Sequence, residues 1–181
     1  MSLPDKFPPV MPVISVLYND EAILGKMVDD LGVAFGKIVL RSEPYQFDKT
    51  KYYEPEMGEG IQREWFCFSP LLDPSKLSEW KQKCITIEEK YSCCGKRSIN
   101  IDPGYLDHGK LVLASCKSAA DKIYMGDGVY AHTCLRYKKG EFFGPSHSFD
   151  DFIDGRFNSF FKLAKTLLKQ LIREKNQKGQ H

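Results

Sequence analysis

At 181 residues and 20.7 kDa the chain has the length of one ordinary domain. Its 42% hydrophobic and 28% charged residues exclude wholesale disorder and fibrous repeats, and a net charge of +2 gives no charge-based case for a nucleic-acid or membrane partner. No apolar run approaches the roughly 18 residues of a membrane span, and no basic stretch followed by an apolar one opens the chain, so the cytoplasm is the expected location.

Residues 1–9 hold three prolines and little pattern, and read as a loose arm. Val13 to Tyr18 is a short apolar run, the mark of a strand buried on both faces. Asn19 or Asp20 offers an N-cap to a helix carrying Ile23, Leu24, Met27, Val28 and Leu31, with Gly32 as its stop. Lys37–Arg41 returns as the second strand. Periodicity then vanishes over 42–60, longer than the roughly 12–15 residues usual for a structureless loop, which marks the segment as functional.

Ile61 to Phe68 is an aromatic-rich third strand ended by Pro70. Asp73-Pro74 starts a helix, a capping carboxylate followed by proline where its missing N–H costs nothing. Leu77, Trp80, Cys84, Ile87 and Tyr91 make one stripe along it, and Lys81, Lys83, Glu88 and Glu89 occupy the rest. A loop at Ser92–Ser98 leads to a short strand at Ile99–Ile101. Leu111–Cys116, Lys122–Met125 and Val129–Tyr137 are further strands, the last two joined by a Gly126-Asp127-Gly128 hairpin turn. A turn-rich stretch from Gly140 to Gly155 precedes a last helix, Arg156 to about Lys175, with the strongest apolar stripe in the chain.

The expected product is an α+β domain over residues 10–175, with helices on one face of a mostly antiparallel sheet and loose termini at 1–9 and 176–181. Its start is β-α-β-β-α-β, the ferredoxin-like order, extended by further antiparallel strands and a C-terminal helix.

Six cysteines invite a disulfide or zinc reading that the spacing does not support. The only close pair is Cys93-Cys94, whose adjacent side chains are expected to diverge too far to chelate, so no zinc is expected. Cys67, Cys84, Cys116 and Cys134 read as small core hydrophobes, and Cys93-Cys94, beside Lys96 and Arg97, as the exception. Four histidines lack metalloprotease spacing, no G-x-S-x-G elbow occurs, and Gly95-Lys96 lacks the remainder of a P-loop.

Four polar segments carry the candidate chemistry. In Tyr52-Tyr53-Glu54-Pro55-Glu56, proline is expected to hold Glu54 extended, setting two carboxylates where they can share a cation or divide acid and base roles. The alternative is a loop anchored by tyrosine rings. Asp102, before Pro103-Gly104-Tyr105, sits where a strand is expected to end in a type II turn. Lys117 closes a strand, and Arg63 lies on the third; either can neutralise a ligand phosphate or carboxylate. Asp127 is a turn residue unless other acids lie near it.

The last 26 residues hold seven Lys/Arg and one acid, a net +6 against −4 for the rest, a pattern better suited to a solvated helix face than to nucleic acid.

Three readings follow. The leading one is a protein that binds a small anionic ligand between the 42–60 loop and the strand ends, with Tyr53, Arg63, Tyr105, Lys117 and Tyr130 as ligand-binding candidates. The second is a hydrolase or transferase acting on phosphoesters, with Glu54, Glu56, Asp102 and Asp127 as acid/base groups or Mg²⁺ ligands. The third is an RNA-binding or interaction module stacking bases on exposed Trp65, Phe66 or Phe68.

The blocks Tyr53-Glu54-Pro55-Glu56-Met57-Gly58, Ile101-Asp102-Pro103-Gly104-Tyr105, Leu113-Ala114-Ser115-Cys116-Lys117 and Ile123-Tyr124-Met125-Gly126-Asp127-Gly128-Val129-Tyr130-Ala131 together resemble a prokaryotic domain-of-unknown-function family, the one numbered forty-four sixteen. The resemblance spans roughly residues 10–173 and implies no established activity. Some members carry a GTP-binding label from automated naming, and the P-loop that such a label assumes does not occur in this sequence.

Overall fold

The computed structural model describes residues 8–145, 148 and 150–178; most of the expected loose ends at 1–9 and 176–181, with His147 and His181, lie outside these. The elements are β1 (Met11–Tyr18), α1 (Glu21–Phe35), β2 (Lys37–Arg41), β3 (Tyr45–Gln46), α2 (Glu54–Met57), β4 (Gln62–Ser69), α3 (Leu77–Lys90), β5 (Ile99–Leu106), β6 (Lys110–Ser115), β7 (Ile123–Gly126), β8 (Val129–Lys138), β9 (Glu141–Phe143), α4 (Asp150–Ile153) and α5 (Asn158–Lys178). The strands form one nine-stranded sheet in the order β2-β4-β1-β5-β6-β8-β7, with β3 beside β4 and β9 beside β8. Every pairing is antiparallel. Among the described residues no helix is long and apolar enough to cross a membrane.

Helices cover both faces of this sheet, which corrects the expectation of one covered face. Strand alternation explains the outcome. On β1 and β4, Ile14, Val16, Phe66 and Phe68 join a core with Leu24, Met27 and Leu31 of α1 and Leu77, Trp80 and Cys84 of α3. Their neighbours Met11, Val13, Trp65 and Cys67 face the opposite way, into a second core with Phe157, Phe161, Ala164 and Leu168. Both sides of β4 are thus sealed, and Trp65, Phe66 and Phe68 have no exposed surface on which to stack a base. The RNA-stacking reading ends there.

Several boundaries also move. Asp20 caps α1 as expected, accepting from the Ala22 and Ile23 amides at 2.8 and 3.3 Å. The helix runs past Gly32 because Phe35 still has core to fill, and it stops at Gly36, whose φ of +96° and close approach to the Ser69 carbonyl suit only glycine. The 42–60 segment contains β3 and α2. The turn-rich stretch before the last helix contains β9 and α4, and α5 continues to Lys178 through residues expected to be loose.

The largest shift is in β5, which continues through Asp102-Pro103-Gly104-Tyr105 instead of turning. Proline is tolerated there because pairing with β6 begins only at Gly104. Gly104 is needed at that crossing: a Cβ would strike the Val112 carbonyl oxygen and Leu113. Only Gly104–Leu106 pair with Leu111–Leu113, so β5 and β6 fork, leaving Ile99–Pro103 and Ala114–Ser115 unpaired with each other.

Candidate functional site

The fork opens into a cavity of about 520 Å³, within the range of small-molecule sites. Its floor is the second sheet face, through Leu17 of β1, Arg63 of β4, Asp102 of β5, Leu113 of β6 and His132 of β8. The helix α3 lies on the other face, yet its Lys81, Ile85 and Glu88 also line the cavity, entering where β5 and β6 leave a gap. Tyr52, Tyr53, Lys117 and Lys122 also line it, with the Lys117 ammonium against the Tyr52 ring.

Charge on the lining is unequal: Arg63, Lys81, Arg97, Lys117 and Lys122 stand against Glu88 and Asp102. Three of the cations are committed to protein partners. Buried Arg63 lies 3.0 Å from the buried Asp151 carboxylate, donates to Ser15 Oγ at 2.7 Å, and sits against the rings of Phe47, Trp65 and Phe152. Lys81 donates to the Ile101 carbonyl at 2.7 Å and to Asp102 Oδ1 at 3.1 Å, with Glu88 at 3.6 Å. Arg97 forks onto Glu56 at 2.7 and 2.8 Å and donates to Asn100 at 3.0 Å.

These bonds set the protonation of the acids. Burial pushes Asp102 upward, but Lys81, by its charge and hydrogen bond, and the Asn100 amide together outweigh it and hold the carboxyl below the usual aspartate range. Burial pulls the Lys81 ammonium downward, and the charges of Asp102 and Glu88 more than reverse this. Glu88 and Asp151 are both raised, burial prevailing over Lys81 and Arg63 respectively.

Lys117 and Lys122 differ from the other three. Neither makes an ion pair with a carboxylate among the described residues. The Lys117 ammonium stands 3.6 Å from the Tyr52 ring centre and 5.4 Å from that of Tyr53. Lys122 donates to Ser115 Oγ and the Lys117 carbonyl, each at 3.0 Å, and burial lowers its pKa. His132, lowered first by burial and then by Lys122, has a buried Nδ1 without a hydrogen-bond partner among the described residues.

Of the nine residues singled out in the sequence, Tyr53, Arg63, Asp102 and Lys117 line this cavity. The others do not. Tyr105 faces the first core because strand alternation sets it opposite Asp102. Tyr130 packs at a tilt against Tyr124, with ring centroids 5.3 Å apart. Glu54 heads α2, 3.7 Å from Lys51, and Glu56 braces Arg97. Proline does not hold Glu54 extended, since Pro55 lies in the first turn of α2, where no N–H is required. Asp127 is a turn residue at φ +52°, its carbonyl accepting from Gln82.

The four acids therefore do not gather around one ion, and among the described residues no three His, Cys, Asp or Glu side chains are grouped to hold a metal. The 42–60 loop matches the ring-anchored alternative: Tyr53 packs on Phe47 and Tyr52 at 5.9 and 4.9 Å. Cys116, expected in the core, is exposed because β6 ends at Ser115.

Lys81 and Glu88, which lie off the apolar stripe of α3, are nonetheless buried. Together with Ile85 they are spaced i, i+4, i+7, a second stripe that charge alone disguises. Arg97, Lys122 and His132 come from separate segments, and no spacing links them in the sequence.

Comparison with protein families matches residues 8–167 to Domain of unknown function (DUF4416). No curated protein and no solved structure matches the chain.

Proposed function

The chain belongs to the family of the domain of unknown function DUF4416, and from that premise we propose that it binds a small anionic molecule in the cavity at the β5–β6 fork. The observation carrying this reading is the pair Lys117 and Lys122, two cations at one rim that lack a carboxylate partner among the described residues, while Arg63, Lys81 and Arg97 each have one. Lys122 is partly buried with no carboxylate in ion-pair contact among the described residues, and burial disfavours its charge. An incoming phosphate or carboxylate at this rim offsets that cost and pairs with exposed Lys117 as well. Ser115 Oγ, already held by Lys122, adds a hydroxyl to the same rim.

The remaining wall favours a ligand with an apolar body. Leu17, Phe47, Leu113 and Phe152 line it, and Tyr52 and Tyr53 present rings at the entrance. The proposed ligand is thus an amphipathic anion of metabolite size, its charged group at Lys117 and Lys122 and its body against these side chains. A thermal-shift series with phenyl phosphate, sugar phosphates and aromatic carboxylates tests this: at least one must raise the melting temperature in a saturable manner, and a flat response across the whole series would refute it.

The first six major elements read as a ferredoxin-like unit, supported by the strand order β2-β4-β1-β5, and residues 10–175 as one domain around a single sheet. Cytoplasmic location belongs to the same reading.

A further inference from the structure

Cys93 and Cys94 lie in the connection from α3 to β5 and do not line the cavity. Cys93 and Lys96 exchange two backbone hydrogen bonds of 3.0 Å, which closes a two-residue turn. Its central residues, Cys94 and Gly95, have φ of +54° and +74°, the left-handed pair of a type I′ turn. A non-glycine residue is uncommon in that region, so the turn imposes the Cys94 conformation. The outcome corrects the expectation that these side chains diverge. The two sulfurs stand 3.5 Å apart, and both residues are exposed.

The other thiols differ in setting. Cys67, Cys84 and Cys134 are buried, and burial raises the pKa of each, which makes them poor nucleophiles. Cys116 is exposed on its own at the cavity edge. Only the 93–94 pair brings two accessible sulfurs within contact.

We propose that Cys93 and Cys94 form a thiol–disulfide exchange site, closing to a vicinal disulfide at the expense of a small-molecule disulfide such as oxidised glutathione. The thiolate of one cysteine attacks the glutathione disulfide, forming a mixed disulfide and releasing one glutathione thiolate. The second cysteine, deprotonated, attacks the protein-side sulfur of that mixed disulfide and releases the other glutathione. Two protein thiols are oxidised, one disulfide is reduced to two thiols, and no further reactant is needed.

Closure moves the sulfurs from 3.5 Å to about 2.05 Å. The Cα atoms of adjacent residues are held about 3.8 Å apart by a trans peptide, below the roughly 4.4 Å at which ordinary disulfides begin, so the ring is strained and readily reduced. That places the pair among labile, reversible disulfides and not structural ones.

The test uses the full chain reduced, then exposed to oxidised glutathione. Native titration of accessible thiols is expected to fall from three to one, intact mass to fall by two hydrogens, and peptide mapping to locate the loss at residues 93 and 94, all reversed by dithiothreitol. Cys93→Ser and Cys94→Ser are each expected to stop at a stable glutathione adduct on the remaining cysteine, and Cys116→Ser to close as the parent does. The proposal is overturned if the parent protein accumulates glutathione adducts at 93 or 94 without closing, if its thiol titre does not change, or if the loss requires Cys116. None of these outcomes depends on the ligand of the cavity.

Discussion

Lys117 and Tyr52 meet across the mouth of the cavity, the ammonium 3.6 Å from the ring centre, so the 42–60 loop and the loop after β6 are joined by a cation over an aromatic face. Such a contact at an exposed site is worth about 0.5–1 kcal/mol, whereas a charged hydrogen bond to a bound anion is worth roughly 1.5–3 kcal/mol. The two roles of Lys117 are therefore separable. Lys117→Gln is expected to lower unfolding free energy by no more than about 1 kcal/mol and to weaken anion binding by roughly tenfold or more. Urea denaturation checks the first figure, and titration of the strongest anion from the thermal-shift series checks the second.

Lys81 is buried between Asp102 and Glu88 and lies within ion-pair distance of both, while Arg97 also reaches Glu88 at 3.6 Å. Lys81→Met is expected to destabilise the protein by about 3–5 kcal/mol, since removing this buried cation leaves the Asp102 carboxylate without its ion pair. Equilibrium denaturation measures this, and a loss below about 1 kcal/mol would show that the cluster contributes little.

Acid sensitivity follows from the same cluster. Asp102 is held below the usual aspartate range, and the Arg97 hydrogen bonds hold Glu56 below the usual glutamate range. An acid depressed in the folded state contributes stability above its unfolded pKa and loses it as pH falls through the folded value. Glu88 and Asp151 are raised, so they act in the opposite sense, costing stability as pH rises through the ordinary carboxylate range. The depressed pair predicts a loss of stability below about pH 4. Asp102→Asn is expected to be less stable at pH 6 and to have a flatter profile from pH 6 to pH 3 than the parent, as measured by urea midpoints across that interval.

Gly104 sits at the last paired rung before the fork. Gly104→Ala drives a Cβ into the Val112 carbonyl oxygen and Leu113, atoms that a backbone ladder cannot easily move. Overpacking of this kind costs about 1–3 kcal/mol, and here it acts on the junction that shapes the cavity. The expected result is a lower melting temperature together with weaker anion binding. Alanine at Gly109, whose backbone is not left-handed and whose nearest neighbouring atom is Asp107 Oδ1 at 3.9 Å, controls for the loss of glycine alone.

Regular elements were legible wherever a single stripe decided them. The apolar periodicity of α5, the Asp20 cap and the Gly126-Asp127-Gly128 turn each depend on local sequence, and each is present. Legibility ended where the deciding partner lies elsewhere in the chain. Pro103-Gly104 has the composition of a turn, but its neighbours β1 and β6 keep it in a strand. Lys81 and Glu88 lie off the apolar stripe, and Asp102 and the Ile101 amide supply their partners. The cavity was half visible: Tyr53, Arg63, Asp102 and Lys117 were singled out as separate residues, while Lys122 and His132 carried no signal of their own.

The central claim is that Lys117 and Lys122 hold a small anion, and its most direct test is calorimetric titration of the best-stabilising anion into the parent protein and the Lys117→Ala/Lys122→Ala variant. Losing two charged hydrogen bonds is expected to weaken a saturable, single-site, salt-sensitive interaction by roughly a hundredfold or more. Equal affinity in the two proteins, or parent binding indifferent to salt, would contradict it.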